Sequence, residues 1–333
     1  MTSFSIGQPV RVGLVGTGFA AKLRAETIQG EPRAQLVGVA GHTPERTQEF
    51  GHIHQTQAFS VWQELVENSS LDLVMISGVN RDHGTIARAA LQTGKHVIVE
   101  YPLSLQLQEA EELIALAKSK NLLLHVEHIE RLGGVHQALL VSLPQVGTPL
   151  YARYATVTPQ RPAPRKWTYQ PELFGFPLAG ALSRLHRLTH AFGEVATVSC
   201  QNRYWQLQDS DLQNSYYAGC LCAAQLRFRS GLIADVLYGK GEVAWQPERK
   251  LEVQGDRGSL VFDGDGGVLI NAEGSQSIAV GERRGLFAKD TTAVLDHLLE
   301  NTPLYVTAEA SLYTLRVADA AQRSAETNQT IEL

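Results

Sequence analysis

Cysteine is scarce in this 333-residue chain: Cys200, Cys220 and Cys222 make up the whole set. Three thiols are a poor disulfide framework, so a reducing compartment, the cytoplasm, is expected. Cys220 and Cys222 lie two apart in an apolar, strand-like run, so they share a face and read as buried structural residues. Positive charge is also short. Lys and Arg number 29 against 34 Asp and Glu, a formal charge of −5, which argues against a nucleic-acid footprint. It says nothing against one local pocket for an anionic small molecule. No apolar run approaches the roughly 18 residues of a membrane span. The opening MTSFSIGQPV lacks the charged start and apolar core of a secretion signal. Metal-binding constellations are missing too. His52 and His54 form an H-x-H pair, and His186 with His190 share a helix face, but no third ligand accompanies either pair.

What is present points to two domains, because 333 residues exceed one typical core. Residues 10–130 alternate short apolar runs with helix-like stretches. Strands are expected at 10–15, 35–40, 71–77, 96–100 and 122–126, and helices at 20–29, 43–51, 83–93 and 107–120. That alternation implies right-handed βαβ units and a parallel sheet, so 1–130 is assigned as a dinucleotide-binding Rossmann domain. The texture changes in 131–333. A stretch over 159–177 is rich in Pro, Arg and aromatics, a helix is expected over 179–192, and alternating runs from 195 to about 280 read as a large, open, mostly antiparallel sheet. Helices near 291–299 and 309–326 close this second α/β domain, the expected substrate domain.

Residues 12–21 read VGLVGTGFAA. Gly16, Gly18 and Ala21 fit G-x-G-x-x-A between a strand and a helix: a tight turn, close backbone approach to a pyrophosphate, and close helix–strand packing. Phe19 opens the helix whose N-terminal amides would face the phosphates. The second strand runs into Gly41-His42-Thr43-Pro44-Glu45-Arg46. The acid that binds the ribose 2′-hydroxyl of NAD is not in its usual place. Thr43 as donor and Arg46 as charge suit a 2′-phosphate, so NADPH is the expected cofactor.

Three further stretches carry a resemblance: Ser77-Gly78-Val79-Asn80-Arg81-Asp82-His83, Gly94-Lys95-His96-Val97-Ile98-Val99-Glu100 before Tyr101-Pro102, and Leu251-Glu252-Val253-Gln254-Gly255-Asp256-Arg257-Gly258-Ser259-Leu260. Together they resemble the Gfo/Idh/MocA oxidoreductases over nearly the whole chain. The resemblance implies cofactor contacts from Ser77, Asn80, His83 and Glu100, and a C-terminal sheet covered by helices on one face. Two departures argue against sugar chemistry. Most members have Glu-Lys-Pro where this chain has Glu100-Tyr101-Pro102, and the lysine belongs to the proton relay for a sugar hydroxyl. The family's Asp and His, four apart on a helix, have no clear match in residues 180–187. Glu-Tyr-Pro resembles the biliverdin reductase branch, as do His125-Val126-Glu127-His128-Ile129-Glu130 and Phe174-Gly175-Phe176-Pro177 with Ser183-Arg184-Leu185. Leu132-Gly133-Gly134-Val135-His136-Gln137-Ala138 and Tyr238-Gly239-Lys240-Gly241-Glu242-Val243 look like its cyanobacterial members.

That branch implies NADPH-dependent reduction of biliverdin IXα to bilirubin, with hydride added to the central methine carbon and a proton to a pyrrole nitrogen. Tyr101 and Arg184 are the expected catalytic pair. Tyr101 follows a parallel strand on the ligand side, and its phenol donates a hydrogen bond but is a reluctant acid at neutral pH. Arg184 is permanently charged and can anchor a propionate or order water. The proton source stays open between water held by either residue and a propionic acid of the substrate. Arg161, Arg165 and Lys166 are carboxylate partners in prospect, and Trp167 and Phe174 offer stacking area for a flat tetrapyrrole. Glu127 and His128 follow the last Rossmann strand and serve either the nicotinamide ribose or the domain junction. The rivals are a sugar or cyclitol oxidoreductase and a non-catalytic NADP(H) or bilin sensor. Gln225, Arg227 and Arg229 give one strand a polar face, which favours a monomer.

Overall fold

The computed structural model describes residues 6–206 and 215–333. The chain forms two compact units, Met1–Ile129 with Gly285–Leu312, and Glu130–Arg284 with Tyr313–Leu333.

The first unit is built on six parallel strands: β1 (Val10–Val15), β2 (Ala34–Ala40), β3 (Gln57–Phe59), β4 (Leu73–Ile76), β5 (His96–Val99) and β6 (Leu124–Val126). Their order is β3-β2-β1-β4-β5-β6. β4 and β5 are buried along their whole length, as strands sandwiched between helices must be. The order reverses between β1 and β4, the crevice where dinucleotides bind in such sheets. β3 and the Trp62–Glu67 helix fill a stretch with no expected element. At three and six residues they are too short to show a period.

One division differs from expectation. The Leu286–Glu300 helix belongs to the first unit, not the second. Its Val294, Leu295 and Leu298 join Ala21, Ala25 and Ile28 of the Phe19–Gln29 helix in one buried cluster with β1, β2 and β4. Sequence order hides this, because the helix returns after the whole second sheet.

The second unit carries nine strands: β7 (Pro149–Pro159), β8 (Val195–Trp205), β9 (Gly219–Phe228), β10 (Ile233–Gly241), β11 (Glu248–Gly255), β12 (Gly258–Asp263), β13 (Gly266–Asn271), β14 (Gly274–Ile278) and β15 (Ile331–Glu332). They pair in the order β14-β13-β12-β11-β7-β10-β9-β8-β15. Only β7 and β10 run parallel, so the sheet is mixed but mostly antiparallel. Along β9, Leu226 and Phe228 are buried while Gln225 and Arg227 are exposed, the alternation of a strand covered on one face. The helix expected over 179–192 is two pieces, Pro177–Gly180 and Ser183–Phe192. The break places Arg184 in a first turn. Among the described residues no helix is long and apolar enough to cross a membrane.

Candidate active site

Gly16 sits at φ +130°, and a Cβ there would lie 2.4 Å from the Ser77 carbonyl oxygen. Only glycine fits this turn, where β1 passes under the end of β4. Gly18 is different: a Cβ there would meet nothing within 4 Å. It caps the Phe19–Gln29 helix with no side-chain hydrogen bond, so the first-turn amides lack a side-chain acceptor. An open glycine, bare helix amides and an exposed Phe19 fit a dinucleotide pyrophosphate. Ala21 is fully buried beneath. At the end of β2, Thr43 makes no side-chain capping bond to the helix it precedes, so its exposed hydroxyl is not committed to a cap. Arg46 is exposed on that helix. His42 stands 3.0 Å from Asp82, whose hydrogen bond raises the imidazole pKa. This corner suits a phosphate better than a bare ribose hydroxyl.

A buried polar network backs the strand ends. Arg24 is fully buried. It pairs with Asp290, donates to Thr291 Oγ1 at 3.0 Å and reaches Glu100 Oε1 through Nε and Nη2 at 3.2 and 3.1 Å. Burial pulls the guanidinium pKa down, but Asp290, Glu100 and Glu127 outweigh it and the net shift is upward. Burial would likewise raise the Asp290 carboxyl, yet Arg24 and His125 hold it well below the carboxylate range. His125 Nε2 lies 2.7 Å from Asp290 Oδ1, and Tyr305 donates to the same oxygen at 2.6 Å. Ser77 Oγ donates to Glu100 Oε1 at 3.3 Å. Asn80 and His83 are buried, and His83 Nδ1 donates to the Pro102 carbonyl at 2.8 Å.

Tyr101 lies two residues past the end of β5. Its ring stacks on His128, with centroids 5.3 Å apart and planes 6° from parallel. His128 is itself fixed: Nε2 lies 2.9 Å from Ser311 Oγ, and its amide donates to the Tyr305 hydroxyl at 3.1 Å. Glu127 is buried and accepts from the Ile129 amide at 2.8 Å. His128 backs the Tyr101 ring, and Glu127 ties down the turn that follows.

In the second unit, Arg184 donates from Nε to Thr156 Oγ1 at 3.2 Å and from Nη1 to Ser183 Oγ at 2.8 Å, and its guanidinium lies 5.7 Å from the Tyr238 ring centroid. The Pro/Arg-rich loop is well tethered. Arg161 donates to the Glu242 carbonyl at 2.5 Å and stacks on Trp245 at 3.7 Å, and Glu242 accepts from the Ala163 amide at 2.8 Å. Arg165 lies 6.0 Å from the Tyr216 ring, and Lys166 is exposed. Trp167 is half-buried and tilts against Phe174 at 6.0 Å. Phe174, expected as stacking surface, is only 6% exposed and carries the Lys240 ammonium on its ring face at 4.0 Å.

Lys240 is the residue that sequence reasoning did not single out. It is 7% exposed, donates to the Thr168 carbonyl and is boxed by Tyr169 at 4.7 Å and Tyr217 at 5.4 Å besides Phe174. Tyr217 donates to the same carbonyl at 2.9 Å. The ammonium thus ties the loop to β10. Burial pushes its pKa down to about 8. Native Lys240 sheds its proton there, whereas the unfolded chain keeps it to about 10.4. Between those values the unfolded state binds more protons, so this residue makes stability rise with pH. Urea unfolding from pH 7.5 to 10 should show that rise, up to about 3 kcal/mol, and Lys240→Met should flatten it. An unchanged slope in the variant would assign the pH dependence elsewhere.

Among the described residues no group of three potential ligands could hold a metal ion.

Comparison with known proteins agrees with this architecture. The oxidoreductase family model with an NAD-binding Rossmann fold (Gfo/Idh/MocA) matches residues 10–128, and the model of the family's C-terminal α/β domain matches 142–333. The chain is similar to the crystal structure of biliverdin reductase from Synechocystis sp. PCC 6803 in complex with biliverdin and NADP+, at 49% identity and a TM-score of 0.92, over 96% of this chain and 99% of that one. Human biliverdin reductase A is 31% identical over 189 residues, 56% of this chain, and the match spans only 60% of that protein. UDP-N-acetylglucosamine 3-dehydrogenase from Acidithiobacillus ferrooxidans shares the fold, with a TM-score of 0.78 at 20% identity over 97% of this chain and 99% of that one. The chain belongs to the Gfo/Idh/MocA oxidoreductase family and is an NAD(P)H-dependent oxidoreductase.

Proposed function

We propose that the chain reduces biliverdin IXα to bilirubin with NADPH. The observation that carries the reading is Tyr101, stacked on a fixed His128 just past β5, at the position where the family's sugar dehydrogenases need a lysine. A neutral phenol held flat suits orientation of a planar bilin and does not suit deprotonation of a sugar alcohol. The near-full-length likeness to a biliverdin reductase whose complex holds biliverdin and NADP+ supports the same reading.

NADPH, when bound, supplies the hydride. Gly16, Gly18 and the helix beginning at Phe19 hold the pyrophosphate, and Thr43 and Arg46 meet the 2′-phosphate. Ser77, Asn80, His83 and Glu100 shape the nicotinamide side. Tyr101 orients the substrate or a water, and Arg184 presents a fixed cation to a propionate or a water that carries the proton. Arg165 and Lys166 are the loop cations for carboxylates. Arg161 contributes mainly through its hold on Glu242 and Trp245, and Phe174 supports Trp167 from beneath. The protein acts as a monomer in the cytoplasm in this reading.

The test is one assay: purified protein, NADPH or NADH, biliverdin and a sugar panel, with the product identified. Bilirubin formation with higher kcat/KM for NADPH is expected. Sugar oxidation without bilirubin would overturn the reading, as would bilin binding without turnover. Arg46→Ala should raise KM for NADPH up to about tenfold and leave that for NADH nearly unchanged.

A further inference from the structure

Five basic side chains gather in the second unit, away from any role in the reading above. They come from Arg131, from His136 in the Gly134–Ser142 helix, and from His186, Arg187 and His190 in the Ser183–Phe192 helix. Their hydrogen bonds have a forced direction. Arg131 Nη2 donates to His190 Nε2 at 2.6 Å, because a guanidinium has nothing but donors. His190 Nδ1 therefore carries the proton and donates to His136 Nε2 at 2.7 Å. That leaves the proton of a neutral His136 on Nδ1, a buried atom with no hydrogen-bond partner.

Arg187 is 5% exposed, and its Nε and Nη1 are also buried with no hydrogen-bond partner. Its guanidinium rests over the Tyr154 ring at 5.5 Å. That contact offsets part of the desolvation of a buried cation, but no carboxylate among the described residues pairs with it. Arg187 stands one turn before His190 on the Ser183–Phe192 helix, and His190 reaches His136 at 2.7 Å, so the two helices bring Arg187 and His136 into one cluster. Burial, then the positive charge of Arg187, pushes His136 down to about 2, and burial with the charge of Arg131 brings His186 down to about 3. The histidines stay neutral, and Arg187 is the buried charge in need of an answer.

The orphaned atoms of Arg187 and His136 are all donors. An unpaired buried ion is among the costliest features a fold can carry. We propose that Arg187 and His136, with Arg131 and His190 at the rim, form a binding site for a small monovalent anion of chloride size. Arg187 Nε and Nη1 and His136 Nδ1 supply the donors. The donors are buried, which limits the site to a small ion, and Arg187 is the one permanent cation among them, with Arg131 outside at the rim, which suits a single negative charge. It does not depend on the redox reading.

The probe is chloride. Thermal unfolding of the whole protein is followed at constant ionic strength while potassium chloride replaces potassium gluconate, whose anion is too large to enter. The midpoint should rise saturably, by about 5 °C at a hundredfold excess over the dissociation constant. Arg187→Met should abolish the saturable response. A crystal grown with bromide should place an anomalous peak in hydrogen-bond contact with Arg187 Nε, which decides the matter even if the variant does not fold. A response equal in both proteins, or a water with no bromide at Arg187, would overturn the site.

Discussion

Replacing Asp290 by alanine should destabilise the first unit by about 3–5 kcal/mol, the usual consequence of removing one partner from a buried ion pair. Arg24 is left fully buried, with Glu100 as its remaining charged hydrogen-bond partner. His125 and Tyr305 lose their shared acceptor at the same time. Asp290→Asn keeps the shape and one acceptor oxygen but removes the charge, so its loss should be smaller yet still large. Denaturant unfolding of both variants measures this, and a loss under about 1 kcal/mol for the alanine would show that the pair is solvated and ordinary. The same network predicts acid sensitivity. The native Asp290 carboxyl is held below its unfolded value, so its contribution is fully present above about pH 4. It is lost as pH falls toward the depressed native value. The alanine variant should lack this acid-labile component.

Arg184→Ala should lower kcat/KM for biliverdin by roughly 10- to 150-fold, the equivalent of one charge-assisted bond at about 1.5–3 kcal/mol. The guanidinium is already held by Thr156, Ser183 and the Tyr238 ring, so little freedom is lost when it meets a ligand. NADPH affinity should barely change. Tyr101→Phe keeps the ring on His128 and removes the hydroxyl; a loss of about tenfold or less marks an orienting group, and about 100-fold or more an obligatory acid. The modest outcome is expected. Steady-state and single-turnover rates decide both, and an Arg184→Ala protein with unimpaired turnover would remove that residue from the proposed mechanism.

What could be read from the sequence follows from the range of each signal. Gly16 and Gly18 announce themselves because turn and helix start lie within a few residues. Tyr101 was legible because it directly follows an apolar strand. Asp290 was not: it is 266 residues from its partner Arg24, and its helix reads as an ordinary amphipathic one. Lys240 gives no such sign, since a lysine in an alternating strand normally faces water. Its aromatic box is assembled from Tyr169, Phe174 and Tyr217 in separate segments. Phe174 read as available surface for the same reason, its cover being a side chain far along the chain. The packing of the Leu286–Glu300 helix on the first unit is not legible in the sequence, because burial of Val294 and Leu295 beside Ala25 is a tertiary fact with no local period of its own.

The placement of the Leu286–Glu300 helix also bears on how the molecule is made. During synthesis the Rossmann strands emerge long before Asp290 does. A nascent chain ending near residue 129 has its cofactor loop but no counterion from that helix for Arg24. The first unit is completed only when the sheet of the second has already left the ribosome. Cutting the gene at residue 130 would therefore not yield two self-sufficient halves. It would separate a guanidinium from its carboxylate and leave a nucleotide-binding fragment with an exposed apolar groove where Val294, Leu295 and Leu298 belong.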